Sequence, residues 1–401
     1  MKVLFVFSGL PPYMDALLNK ISEKGVDLIA VVAAGKSALL GKGVKVVEAN
    51  NTNYKILETK EKISLLGKNY FPELYKIIEN EKPNIIVAGW PYFLALSFQP
   101  KLRKIIKRYN IKFVIREIPF QTPQYGKLKS YFKENPMYDE DMNLLSKGLG
   151  FYIRQWLLMQ LRRYCYKHAD GSLVYSSIGS EIIPTYGIAK EKVFVTYNSG
   201  DSESLIKEKT KVMSSPLILP ENPFRIIHIG RLVKWKRVDL LIDALLLILN
   251  KYPQAELLIL GDGPERNNLE HKARALGIEK NVMFVGSIYK PAEIGAYLYA
   301  SSVYVLAGMG GLSINDAMTY ELPVICSVCD GTEVDLIEDG ISGFFFKEND
   351  KSSLANKISK LFSDSEKRIS MGKASFDVIE NKINLDTVSS RYIEAFKNIN
   401  S

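Results

Sequence analysis

Short, unbroken apolar runs alternate with amphipathic segments along most of this chain. Val3 to Phe7, Asp27 to Ala33, Lys45 to Glu48, Asn84 to Ala88, Lys112 to Ile115, Ser172 to Tyr175 and Val193 to Thr196 are rich in Val and Ile. They show no alternation of polar and apolar positions, which is the mark of strands covered on both faces, as in parallel sheets. Between them, segments such as Met14 to Glu23 and Leu74 to Glu81 space their apolar residues at helical intervals. The pattern predicts a doubly wound parallel α/β domain. Its ligand edge lies at the strand C-termini, where Ser8-Gly9, Gly89-Trp90 and Arg116-Glu117 fall.

The alternation lapses between about Ser199 and Pro223 into SGDSESLIKEKTKVMSSPLILPENP and then restarts. Arg225 to Ile229, Glu256 to Leu260, Val282 to Val285, Val303 to Leu306, Pro323 to Cys326 and Phe344 to Phe346 read as strands, and Val238 to Asn250 and Asn267 to Leu276 as helices. The prediction is therefore two α/β domains in tandem, over residues 1–200 and 201–384, with 201–223 as the linker. Residues 385–401, with Val388, Tyr392, Ile393 and Phe396 at helical spacing, read as a last amphipathic helix that can cap either domain.

With 401 residues the chain is long enough for two cores, and 47% hydrophobic against 24% charged residues is an ordinary globular balance. The net charge of +9 predicts attraction to anions: nucleotide phosphates, nucleic acid or an anionic membrane. No nucleic-acid-binding module accompanies it, so a nucleic-acid partner is not expected. Three cysteines, Cys165, Cys326 and Cys329, make no disulfide framework and fit a reducing compartment. The last two form C-x-x-C without a second ligand cluster and read as core and turn residues. The N-terminus enters a strand with no signal-peptide pattern, and the longest apolar run, Ile85 to Phe98, falls short of the roughly 20 residues that span a bilayer. A cytoplasmic location follows as the expectation.

The chemistry gathers in the second half. Ser301 to Phe346 holds a strand that stops at Gly308, Gly310 and Gly311, followed by helix-forming residues with an acid at Asp316. Glycines let a backbone approach a phosphate closely, and helix-opening N–H groups hold it. Gly230-Arg231-Leu232 with Lys234-Trp235-Lys236-Arg237 sits at the end of the restarted domain's first strand, where guanidinium and ammonium suit a diphosphate. A solvated basic loop is the plainer alternative. Gly261-Asp262-Gly263-Pro264 marks another tight turn at the same edge.

The order GRL with lysines, GDGP, Phe284 to Gly286, the glycine turn with Asp316-Ala317-Met318, and Gly340 with Gly343 resembles the nucleotide-sugar-binding half of retaining glycosyltransferases of family 4. The resemblance is specific over roughly Phe224 to Phe346 and covers the first domain by layout alone. It implies the GT-B fold, two Rossmann-like domains facing an interdomain cleft, and donor binding by Gly230, Gly263, Gly310, Gly311, Leu312, Ser313, Asp316 and Glu333. In that family the Arg and Lys of G-R-L-x-x-x-K contact the donor diphosphate, and the matching residues are Arg231 and Lys236. The acid that holds the donor ribose corresponds to Asp316, one methylene shorter than the usual Glu. The first acid of the family's E-x7-E pair falls on Gly308, which has no side chain. Glu333 matches a further family acid and is the nearest substitute in sequence.

In the first domain the resemblance implies a histidine near the reacting sugar, but the chain has Arg116-Glu117-Ile118-Pro119 there, and His168, His228 and His271 lie elsewhere. Glu117 becomes the candidate to orient or deprotonate the acceptor, against a salt-bridged carboxylate beside Arg116. Ser8 and Gly9 are expected at that domain's ligand edge. Asp139-Glu140-Asp141 spells the metal signature of a different glycosyltransferase fold, in a polar run better read as solvated charge. No metal and no cofactor is expected. Two segments join apolar faces to basic residues: Lys101 to Tyr109, and Gly150 to His168 with Trp156, Leu157, Leu158, Leu161 and Arg154, Arg162, Arg163. Either can pack on a sheet or lie on an anionic membrane.

The expected function is transfer of a sugar from a nucleotide diphosphate sugar to a hydroxyl of a glycan or lipid-linked acceptor, in surface polysaccharide or glycolipid synthesis. The alternative is a non-catalytic GT-B scaffold subunit, suggested by the missing acid at 308 and the missing histidine. A nicotinamide-dependent dehydrogenase lacks its G-x-G-x-x-G after the first strand.

Overall fold

A computed structural model describes residues 1–35, 52–64, 67–118, 122–139, 143–328 and 331–401. The chain divides into two compact units: Met1–Met137 with Leu144–Tyr197 and Leu385–Ser401, and Tyr138–Asn143 with Asn198–Asn384.

In the first unit the strands are β1 (Lys2–Val6), β2 (Asp27–Ala33), β3 (Lys55–Thr59), β4 (Lys62–Ile63), β5 (Asn69–Tyr70), β6 (Ile85–Ala88), β7 (Lys112–Glu117), β8 (Gly171–Val174) and β9 (Val193–Val195). Its first seven helices are α1 (Pro12–Glu23), α2 (Leu74–Glu81), α3 (Tyr92–Phe98), α4 (Pro100–Arg108), α5 (Leu128–Glu134), α6 (Gly148–Lys167) and α7 (Gly179–Ile182). Seven strands form one sheet in the order β3-β2-β1-β6-β7-β8-β9, each pairing parallel, while β4 and β5 make a small antiparallel pair. The β6 strand is buried at every position, as its uninterrupted Ile-Ile-Val-Ala requires. Leu4, Val6, Ile29, Ile86, Phe93, Ile115 and Tyr166 belong to a single core. The edge strand β3 is half exposed and reads KILET, whose charges hide it from an apolar-run search. The strand expected at Lys45 to Glu48 lies outside the described residues.

The second unit carries α8 (Ser202–Met213), β10 (Arg225–Ile229), α9 (Val238–Leu249), β11 (Glu256–Leu260), α10 (Arg266–Ala275), β12 (Val282–Gly286), α11 (Pro291–Tyr299), β13 (Val303–Leu306), α12 (Ser313–Thr319), β14 (Val324–Cys326), α13 (Glu333–Leu336), β15 (Gly343–Phe345), α14 (Lys351–Phe362) and α15 (Ser365–Asn381). Its six-stranded parallel sheet runs β12-β11-β10-β13-β14-β15. A separate core joins Ile226, Leu241, Ile259, Val305, Ile325 and Leu354.

The stretch 201–223, read above as a linker, begins with a helix. Asp201 caps α8 by accepting from the Ser204 amide at 3.2 Å, and Leu205, Lys209 and Val212 are buried on one face. A run of Ser, Glu and Lys conceals that short apolar period. The final helix, α16 (Leu385–Asn400), belongs to the first unit and buries Val388, Tyr392 and Phe396. It packs along α1, with Lys24 Nζ 2.8 Å from Asp386, and the Tyr392 hydroxyl accepts from Arg116 Nε at 2.9 Å.

Candidate active site

In the second sheet, successive strands run outward from β10 to one side and from β13 to the other, so the topological switch lies between these two neighbours. Doubly wound sheets bind ligands at the carboxyl ends of the strands beside such a switch. The loops there are 230–237 after β10 and 307–312 after β13.

Backbone contact shapes both loops. A Cβ on Gly261 would lie 1.9 Å from the Gly230 carbonyl oxygen, and one on Gly263 would lie 2.4 Å from that of Leu232. Leu232 N donates to Asp262 O at 3.0 Å, and Glu265 N returns to Leu232 O at 3.0 Å. The glycines of GDGP thus let that turn close on GRL, and what the structure assigns Gly263 is this packing.

Across the switch, Met309 N donates to Trp235 O at 2.8 Å. Lys236 is buried, and its ammonium donates to Met309 O at 2.8 Å and to Gly310 O. A Cβ on Gly311 would stand 3.0 Å from Lys236 Nζ, and one on Gly230 would stand 3.9 Å from Lys236 Cε. Ser313 opens α12 and donates to Ile229 O at 3.0 Å, while its hydroxyl accepts from Tyr304 at 2.7 Å. Its side chain therefore ties α12 to β10. The Arg231 guanidinium lies 5.9 Å from the Trp235 ring centroid. The two loops that carry Gly230, Arg231 and Lys236 on one side and Gly310, Gly311 and Leu312 on the other thus meet at one end of the sheet, with Ser313 tying the following helix to it.

Gly308 has a physical reason to be glycine. A Cβ there would fall 2.2 Å from Trp235 O and 2.6 Å from Lys236 C. The backbone of 235–236 fills the place a side chain would need, so the acid expected from the family pattern is sterically shut out.

Asp316 lies in α12, with Oδ1 3.6 Å from where a Cβ on Gly200 would stand. Burial, with the nearby Asp201 charge adding to it, raises its carboxyl to about 7. Glu333 opens α13 beyond β14, is 1% exposed, and accepts from Gly331 N at 3.2 Å.

His228 was not selected by sequence reasoning. It is fully buried in β10, and its Nδ1 lies 3.0 Å from Val305 O, an acceptor only, so Nδ1 carries the proton. Its Nε2 is sealed from solvent without a hydrogen-bond partner among the described residues, 3.4 Å from where a Cβ on Gly230 would stand. Burial lowers the imidazole to about 4, so the ring is neutral and offers a lone pair beside the switch. The available signal was a histidine interrupting the apolar run R-I-I-H-I two residues before Gly230. Asn315 is likewise buried, with both amide atoms unpartnered among the described residues.

In the first unit the switch lies between β1 and β6, which places Ser8 and Gly9 at its ligand edge. Glu117 ends β7 rather than lying in a loop, and its side chain is 5% exposed. Oε1 accepts from Arg162 Nε at 2.9 Å and Oε2 from the Tyr166 hydroxyl at 2.7 Å. Its ion-pair partner is Arg162 rather than the adjacent Arg116, which lies 4.4 Å from the Tyr175 ring centroid and donates to Tyr392. Both Glu117 oxygens are thus engaged inward. Of the run Asp139-Glu140-Asp141, the last two lie outside the described residues, as do Pro119 and Cys329. No metal-binding cluster occurs among the described residues.

Residues 210–378 match the family Glycosyl transferases group 1. The capsular polysaccharide biosynthesis glycosyltransferase CapM of Staphylococcus aureus is 26% identical over 323 residues, covering 77% of this chain and 82% of CapM. Sulfoquinovosyl transferase SQD2 of Arabidopsis thaliana is 28% identical over 321 residues, or 77% of this chain and 56% of the relative. Among solved structures, Anabaena Alr3699/HepE in complex with UDP superposes with a TM-score of 0.70 at 19% identity, over 99% of this chain and all of that one. The fold is GT-B, with its two parallel-sheet α/β domains.

Proposed function

We propose that this protein is a glycosyltransferase that moves a sugar from a nucleotide diphosphate sugar to an acceptor hydroxyl. The observation that carries the reading is the bond of the Lys236 ammonium to the glycine loop 308–311 at the β10–β13 switch, with Arg231 on the same loop as Lys236 after β10. The match over 210–378 and the similarity to a capsular polysaccharide biosynthesis glycosyltransferase and a sulfoquinovosyl transferase support it.

In transfer, the bond from the anomeric carbon to the diphosphate oxygen breaks and one to the acceptor oxygen forms, while the acceptor proton departs. Negative charge grows on the diphosphate as it leaves. Fixed cations in a partly dry site stabilise that charge without having to reorganise. Two loop carbonyls set the position of the Lys236 ammonium, and Arg231 adds a guanidinium able to take two phosphate oxygens. The Asp316 carboxylate is the proposed ribose ligand. We take the reaction to be metal-independent and to retain anomeric configuration, as in family 4, and the enzyme to be cytoplasmic. The acceptor side is assigned to the first domain, with Ser8 and Gly9 at its sheet edge.

Thermal-shift measurements with UDP, GDP and ADP test the donor reading, since a ligand that binds only the native state raises its Tm. UDP leads because a structural neighbour was solved with it. Stabilisation by none of the three would overturn the reading. Loss of activity in EDTA would refute metal independence.

The closed space at Gly308 favours a second reading, a catalytically silent GT-B scaffold. Detectable donor hydrolysis or transfer would eliminate it.

A further inference from the structure

Two basic amphipathic segments compete for a membrane role in the sequence, and their burial separates them. On α4, Leu102 is 1% and Ile105 8% exposed, so that apolar face is consumed by the first unit's core. On α6 the reverse holds: Leu149 is 76%, Ile153 50%, Trp156 53% and Leu157 51% exposed. At about 100° per residue these four positions fall within an arc of about 100° on the helix. The opposite face supplies the buried Met159, Cys165 and Tyr166, and Arg162 with its bond to Glu117. The stripe therefore points outward from a helix already anchored on its other side.

Charge identifies what covers the stripe. The twenty residues of α6 contain no Asp or Glu. Lys147 precedes the helix and Arg154 flanks the stripe, both exposed. Helix α5 meets α6 through Phe132 and Phe151, with ring centroids 5.0 Å apart; Lys129 and Lys133 on it and Lys127 just ahead of it are exposed, against one exposed acid on that helix, Glu134. Leu144 and Leu145, a few positions ahead of the helix in sequence, are 40% and 42% exposed. Large aliphatics and a tryptophan on one face, cations at its margins and no acid within the helix match the interface of an anionic bilayer, where an indole sits at headgroup depth. No described helix is long and apolar enough to cross a membrane, so contact through α6 would be in the plane of the surface.

We propose that α6 is a docking helix that seats the first unit on an anionic lipid surface through Leu149, Ile153, Trp156 and Leu157. The inference goes beyond the transfer reaction and does not depend on which nucleotide sugar is used.

The test is flotation of the full-length protein with vesicles of phosphatidylcholine alone and of phosphatidylcholine mixed with phosphatidylglycerol. Binding is expected only with phosphatidylglycerol present, and should weaken as salt rises. A Leu149→Glu, Trp156→Glu double variant should bind at least about tenfold less, because each change puts a charge where an apolar group would insert. Arg154→Glu provides a second variant with the apolar stripe intact, expected to weaken binding to anionic vesicles. Thermal melts check that each variant folds, and any nucleotide-induced Tm shift should be the same in variants and wild type. Absence of wild-type flotation on anionic vesicles would overturn the proposal, as would undiminished flotation of the double variant. So would a wild-type dimer that the double variant turns into a monomer, since a second copy would then be what covers the face.

Discussion

A side chain at position 308 would have to displace the carbonyl of Trp235, 2.2 Å from its Cβ, and so uncouple Lys236 from the loop it bridges. Placing an acid there with Gly308→Glu should therefore destabilise the second unit by about 1–3 kcal/mol, the usual scale of overpacking, and lower its Tm rather than improve turnover. A variant of wild-type stability and higher activity would contradict this. Lys236→Met keeps the stem and removes the charge, with an expected fall of about 100-fold in kcat, comparable to losing one preorganised donor to a developing anion. Asp316 gives a pH signature. Its folded value of about 7 exceeds the ordinary 3.8, so between roughly pH 4 and 7 the native state holds a proton the unfolded chain has released. The favourable contribution is present at low pH and is lost as pH rises through 7. Asp316→Asn should flatten that part of the Tm-against-pH curve while weakening nucleotide binding at pH 8. A curve parallel to wild type would show that Asp316 does not titrate there. Arg231 and Lys236 were readable because their meaning lies in local spacing. The Arg162 partner of Glu117 stands 45 positions away and left no mark in the sequence around Glu117.

Elements followed the same division between local and distant information. Strands buried on both faces, such as β6 and β13, declared themselves as apolar runs within a residue or so of their observed ends. The edge strand β3 and the helix α8 did not, because charged residues break up their few apolar positions: Lys55 and Glu58 in β3, and Glu203, Lys207, Glu208, Lys209 and Lys211 in α8. The last helix was legible as a helix, but its place was not: only the fold shows Tyr392 receiving the Arg116 guanidinium in the first unit. Tyr392→Phe removes that acceptor and leaves a buried Nε–H unpaired, which should cost about 1–3 kcal/mol in chemical denaturation. An unchanged midpoint would mean that the ring packing against Phe5 and Phe396 carries all of the contribution.

At the scale of the whole molecule, each unit encloses its own hydrophobic core, and the residues assigned to the nucleotide all belong to one of them. That separation makes ligand binding spatially testable. A nucleotide held by the β10–β13 switch lowers the population of openings that expose its loops, so amides of residues 230–237 and 308–316 should exchange more slowly with deuterium in saturating UDP. At a ligand concentration 100 times Kd the native state gains about 2.7 kcal/mol, enough to slow exchange through full unfolding of that unit by about 100-fold. Strands β1, β6 and β7, whose openings need not involve the nucleotide, should exchange at unchanged rates. The Lys236→Met variant is the control, because it removes the cation while keeping the surrounding fold. Protection that persisted undiminished in it, or that appeared at Ser8 and Gly9 instead, would move the diphosphate site away from Lys236 and with it the chemistry assigned to this edge of the sheet.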